Sequence, residues 1–133
     1  MTQFYIGDKK IEAWPEVKDG LPGYAVKYED GYTSWSPKDV FETAYLPIGT
    51  NGTKITQDVV EDFTGKVAAS RFDEKTTIIT AETKTGRQYE VSSCVDPANY
   101  DEEIGKQVGK KRIEDTIWKC LGFVLQWAHN GLK

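Results

Sequence analysis

The stretch Cys94 to Trp118, CVDPANYDEEIGKQVGKKRIEDTIW, leaves this chain the least freedom. It reads as the start and body of one long helix, over about residues 100 to 121. Asn99 is a residue type whose side chain accepts from the first free backbone N–H groups of a helix, and Glu102, three positions on, completes a capping box. Asp101, Glu102 and Glu103 fill the first turn, where the helix dipole favours acids. Gly122 reads as the stop signal. At about 100° per residue the apolar positions form two stripes rather than one. Ile104 and Val108 share a face bordered by Gly105 and Gly109, while Ile113, Ile117, Cys120 and Leu121 cluster on the opposite side. Two stripes imply two buried surfaces, one on the protein's own sheet and one on a second copy approaching over the two glycines. A bend near Gly109 that turns both stripes onto one core is the alternative.

A chain of 133 residues supports a core and a single α+β domain over residues 1–133, with a sub-boundary near 47–54. A net charge of −4 disfavours binding to a nucleic-acid polymer, which usually shows as a basic balance. The first ten residues, MTQFYIGDKK, hold no apolar core of a signal peptide, and no run reaches membrane-spanning length, so the expectation is an intracellular protein with no membrane partner. Cys94 and Cys120 lack metal-ligand spacing and read as buried small apolar residues.

Along the chain, residues 3 to 14 read as a short hairpin turning at Gly7-Asp8, and PEVKDGLPG (15–23) as a loop. Tyr24, Val26 and Tyr28 alternate along a strand, Asp30-Gly31 turns it, and Tyr32 to Trp35 return. Ser36-Pro37-Lys38-Asp39 starts a helix with Ser36 as cap, whose buried side is Val40, Phe41, Ala44 and Tyr45. Ile55 to Phe63 is a second short helix. Strands follow at Val67–Phe72, Thr76–Thr83 and Gln88–Cys94, the last two joined by Lys84-Thr85-Gly86. Phe123 to Trp127 reads as an apolar tail packing back on the sheet. The fold class is α+β: antiparallel hairpins, short helices and one long C-terminal helix.

Catalytic parts are scarce. His129 is the lone histidine and sits near the polar end, so neither a Ser-His-Asp nor a Cys-His site is expected. No metal motif and no cofactor fingerprint occurs. The basic cluster carries the sharper expectation. Lys106 and Lys110 share a helix face, and Lys110 and Arg112 lie just past the Gly105-x-x-x-Gly109 step. Paired across a two-fold axis they would line a positive cleft beside Tyr89 and Tyr100, and Arg87 at the turn and Asn99 at the helix mouth are further candidates. Guanidinium forks and aromatic faces suit phosphates and purine rings.

The segments TTIITAETKTG and CVDPANYDEEIG, with a helix reaching Ile117-Trp118, resemble a family of small bacteriophage proteins with a C-V-D-P-x-N-F run and a helix ending in Trp. This sequence departs at the turn, with Thr85 for the usual Asn and Arg87 for the usual aromatic. Similar small phage proteins include sponges that inhibit the Thoeris defence system; these oligomerise and sequester cyclic ADP-ribose isomers and sometimes cyclic oligonucleotides. The resemblance implies a non-enzymatic anti-defence protein that binds a small anionic nucleotide as a homo-oligomer. Two other readings stay open: a protein-interaction module that inhibits a host protein directly, anchored by Trp14 and Trp35, and a nucleotide-processing enzyme.

Overall fold

The Asp-Gly pairs shape the first part of the chain. In the computed structural model, which describes all residues from Met1 to Lys133, Asp19 and Gly20 both take positive φ, 52° and 78°. That is a primed two-residue turn, whose twist matches that of paired strands. Lys18 and Leu21 exchange backbone hydrogen bonds across it at 3.0 and 2.9 Å. The turn folds β1 (Glu12–Pro15) onto β2 (Gly23–Lys27), so the segment expected as a plain loop is the tip of a hairpin. The hairpin expected over residues 3 to 14 is absent: residues 1–11 form no strand, and Phe4, Tyr5 and Ile6 are exposed. Gly7 takes no positive φ, and β1 finds its partner downstream.

The second turn holds as expected. Gly31, at φ 89°, reverses the chain into β3 (Thr33–Pro37), giving a sheet ordered β1-β2-β3. The short helix α1 (Lys38–Ala44) follows, but Ser36 does not cap it. Ser36 pairs with Tyr24 inside the ladder, and Pro37 holds the cap position without a side-chain acceptor. None of α1's residues is buried and Val40 is exposed. Phe41 instead stacks on Tyr24 at 4.2 Å and on Tyr45 at 5.0 Å.

Tyr24 also donates to the Glu42 carboxylate at 2.7 Å, which raises the phenol above its ordinary value of 10.0. The folded state therefore holds this proton more tightly than the unfolded chain does. The bond's contribution is complete below pH 10 and fades as pH rises through the raised value. Tyr24→Phe is expected to flatten the alkaline limb of the stability profile in a pH series of thermal melts. An unchanged limb refutes the assignment.

The second part begins at α2 (Gln57–Phe63), where the Thr56 hydroxyl accepts from the Val59 N–H and Val60 is fully buried. Three eight-residue strands follow, β4 (Thr64–Arg71), β5 (Thr76–Thr83) and β6 (Gly86–Ser93), antiparallel in the order β4-β5-β6. A bulge interrupts β4 between Thr64 and Val67.

The long helix α3 spans Glu102–Asn130. Its cap is Asp101, whose carboxylate accepts from the N–H groups of Glu103 and Ile104. Asn99 is displaced from that role because it closes a 3-10 turn, Pro97–Asn99, capped by Asp96. Gly122 does not stop the helix. A glycine inside a helix costs about 1 kcal/mol relative to alanine, and the 29-residue helix carries straight through it. Phe123 to Trp127 is thus helical rather than a separate tail, and His129 lies in the last turn. Gly131, at φ 70°, ends α3 by donating to the Trp127 carbonyl at 2.8 Å.

The buried residues of α3 are Gly105, Gly109, Ile113, Ile117 and Leu121, every fourth position. They make one line, not two stripes. Each step of four advances about 40° around a helix of 3.6 residues per turn. Over sixteen residues the line therefore drifts to the far side of a helical wheel, which is why the wheel splits it into two stripes. The Gly105–Gly109 step faces the chain's own β5: a methyl at Gly105 would strike Thr77, and one at Gly109 would strike Ile79. The chain's own sheet fills that face. Ile104 is left 63% exposed, and Cys120 is exposed rather than buried.

The chain divides into two compact units, Met1–Lys54 with Phe123–Lys133, and Ile55–Gly122. No helix is long and apolar enough to cross a membrane.

Candidate functional site

The pleat of β5 sorts the expected site residues. Thr77, Ile79 and Ala81 are buried, and Thr77 and Ile79 lie against Gly105 and Gly109 of α3, so that face of the sheet is the inner one. Alternation places Thr76, Ile78, Thr80 and Glu82 on the outer face. Tyr89 pairs with Thr80 and Arg87 with Glu82, so both lie on the outer face, away from the helix. Arg87 reaches the Glu82 carboxylate through Nε at 2.9 Å and Nη2 at 2.7 Å. That carboxylate, then Tyr89, raises the guanidinium pKa further.

Tyr100 belongs to the inner side. Its hydroxyl accepts from Thr77 Oγ1 at 3.1 Å, and the Arg71 guanidinium lies 4.0 Å from its ring centroid. Arg71 is itself fixed by donating to the carbonyls of Asp73 and Glu74, each at 2.9 Å. This pins the Tyr100 ring in place. Arg71 is absent from the expected set, because nothing in the sequence brings it to a tyrosine 29 positions away. Asn99 is exposed and closes the 3-10 turn through its backbone N–H.

The cations of α3 divide between its flanks. Lys110 sits 4.0 Å from Glu114, which accepts from Gln57 of α2, so this flank looks toward α2. Lys106, one turn back, shares it and has no carboxylate within 4.0 Å. Lys111 is paired with Asp115 at 3.6 Å. Arg112 projects the other way and donates Nη1 to the Val91 carbonyl on the edge of β6, at 3.0 Å. No carboxylate lies within 4.0 Å of it, so Nε and Nη2 remain available at a position the strand has already set. A single chain thus does not gather the seven expected residues into one cleft. Arg87 and Tyr89 sit on one face, Tyr100 and Asn99 near the helix start, Lys106 and Lys110 on one flank, and Arg112 on the other.

The first unit carries a second feature. Trp14, Ala25 and Trp35 lie in one row across β1-β2-β3, and the two indoles line a hollow of about 530 Å³ with Glu16, Lys18, Thr33 and Ser34. Trp35 lies against Gly23, where any side chain would collide with its ring, and Nε1 donates to the Glu16 carbonyl at 2.9 Å. Lys18 Nζ is 5.8 Å from that ring. No group of three or more His, Cys, Asp or Glu side chains is placed to hold a metal ion.

The phage protein (N4 Gp49/phage Sf6 gene 66) family matches residues 51–128, more than half of the chain. The chain belongs to this family. The match takes in α2, the β4-β5-β6 sheet and most of α3, so Arg112 and Tyr100 lie inside the family region and the Trp14–Trp35 hollow outside it. No curated protein and no solved structure matches the chain.

Proposed function

We propose that this phage-family protein is a non-catalytic binding protein that takes up a small anionic nucleotide, a cyclic ADP-ribose isomer or a cyclic oligonucleotide, and withholds it from a host immune effector. The observation that carries this reading is Arg112. Arg87, Lys110 and Lys111 are neutralised by carboxylates, whereas Arg112 is oriented by a backbone carbonyl and keeps donors for a phosphate. Sequestration asks for binding alone, and the chain's one histidine has its Nδ1 2.8 Å from Lys10 Nζ. The phage family and the resemblance to the Thoeris-inhibiting sponges supply the context.

The test is to incubate the protein with the nucleotide, remove the free ligand, and heat the complex. Release of intact nucleotide supports the reading; altered nucleotide replaces it with an enzyme, and absence of uptake removes it. Arg112→Ala is expected to weaken uptake about tenfold or more, the cost of one charge-assisted contact. Its melting temperature should stay near that of the wild type, because an exposed charge adds little stability. Lys110→Ala is expected to change uptake much less. Equal affinity in wild type and Arg112→Ala, by calorimetric titration, would sink the assignment.

The Trp14–Trp35 hollow favours a second reading, in which the first unit engages a host protein through two indole anchors. Failure of nucleotide uptake, with capture of a host protein lost in Trp14→Ala, would select it.

A further inference from the structure

The two faces of the β1-β2-β3 sheet differ in what covers them. Tyr24 stacks on Phe41 of α1, and alternation puts Val26 on the same face. Ala25 and its row partners Trp14 and Trp35 therefore point the other way. Trp14 is 46% exposed there, a large apolar ring left partly in water. Trp35 is held more firmly: its ring lies against Gly23, and its Nε1 already donates to the Glu16 carbonyl. It offers a ring fixed in place before any partner arrives. Around the hollow, Trp14 Nε1, Lys18 Nζ and Thr33 Oγ1 have no hydrogen-bond partner within the chain, so three donors remain free.

We infer that this hollow takes a proline-rich protein segment in the extended polyproline conformation. The inference rests on the second reading above, in which the first unit binds a protein, and names the chemistry of what it binds. Charge complementarity comes first. The lining carries one charge of each sign, Glu16 and Lys18, and neither has an opposite charge within 4.0 Å. An anion would meet Glu16 and a cation would meet Lys18, so the complement is an uncharged segment. Hydrogen bonding narrows the choice. The free side-chain groups are mostly donors, and a proline brings a carbonyl acceptor with no N–H to be stranded beside them. Geometry agrees. Trp14 and Trp35 stand two strand spacings apart, about 9.5 Å between their Cα atoms. A polyproline helix repeats every three residues, at about 3.1 Å each, which is about 9.3 Å. A segment laid across the strands thus turns once over this row, and prolines three apart reach its two ends. Such a segment is already extended when free, so an aromatic-lined groove binds it at low ordering cost. The nucleotide reading is independent of this one, since Arg112 lies in the other unit.

Calorimetric titration of the full chain with a proline decamer, and with the same peptide carrying alanine at alternate positions, tests it. The decamer is expected to bind, and the alanine-containing peptide to bind about tenfold more weakly or worse. Trp14→Ala is expected to weaken decamer binding about tenfold or more, as for a tryptophan at the centre of a contact. Trp14→Phe and Thr33→Val each remove one donor and nearly keep the shape, so each should weaken it roughly two- to tenfold. These two carry the test if Trp14→Ala fails to fold. Arg112→Ala should bind the decamer like the wild type. A wild type that ignores the decamer overturns the inference, as does equal binding of the two peptides or unchanged binding in the Trp14 and Thr33 variants. If the decamer is ignored while a host protein is still captured through Trp14, this inference falls and the wider protein-binding reading stands. If neither binds, both fall.

Discussion

Replacing Ile79 with alanine is expected to cost about 2–5 kcal/mol of unfolding free energy, the range for deleting a buried aliphatic side chain. The upper half of that range applies here for a local reason. Ile79 has no exposed surface, and the position above it on α3 is Gly109, which has no side chain to lean into the space left behind. Ile113, one turn on, is likewise fully buried and held by the same helix. The site therefore collapses poorly, and the cavity contribution persists. Ile79→Val, which removes one methylene, should cost only about 0.5–1.5 kcal/mol. Urea unfolding of both variants checks this. A loss below 1 kcal/mol for Ile79→Ala would show that α3 settles onto the sheet and that the packing is loose.

What could be read from residue order alone depended on how local each signal is. The β5–β6 hairpin, the β2–β3 hairpin and α2 were legible because each is defined within about twenty residues by alternation, a turn pair or apolar residues at helical spacing. Asp19-Gly20 was equally local, and its primed-turn signal was available; the Pro and Gly residues around it hid it. The choice of cap was harder. Asn99 and Asp101 are both good cap residues two positions apart, and the 3-10 turn begun by Asp96 decides between them. Gly122 and Gly131 pose the same contest at the other end. Gly131 takes the left-handed conformation that a helix stop requires, and Gly122 remains helical. The two apolar stripes failed for a different reason. A helical wheel separates residues sixteen apart by about 160°, whereas the buried four-residue repeat of α3 is one continuous line. The candidate site was the least legible. Whether Tyr89 and Tyr100 share a face depends on strand register, and a register follows from pairing rather than from spacing.

Gly109→Leu is the complementary change to Ile79→Ala, and it is expected to cost about 3 kcal/mol or more by overpacking a filled core. Even a single carbon at this position would lie 2.6 Å from Ile79 Cδ1 and 2.7 Å from its Cβ, closer than real contacts allow. The Cβ is fixed to the backbone, and the Cδ1 methyl ends a fully buried, β-branched side chain with little room to turn away. The helix must therefore lift from the sheet, which separates Gly105 from Thr77 and exposes the buried Ile113. Helix propensity acts in the opposite direction, favouring Leu over Gly by nearly 1 kcal/mol, and is too small to offset the crowding. Gly122→Leu isolates that favourable effect. Gly122 is helical and a side chain there meets nothing within 4 Å, so this variant is expected to be as stable as the wild type or slightly more stable. The double variant Gly109→Ala with Ile79→Ala gives the sharpest reading. If the two positions share one volume, the added methyl occupies part of the cavity, and the pair should be less destabilised than the sum of the single changes. Strict additivity in urea unfolding would mean that Gly109 is not seated over Ile79, and the close approach of α3 to β5 would have to be abandoned.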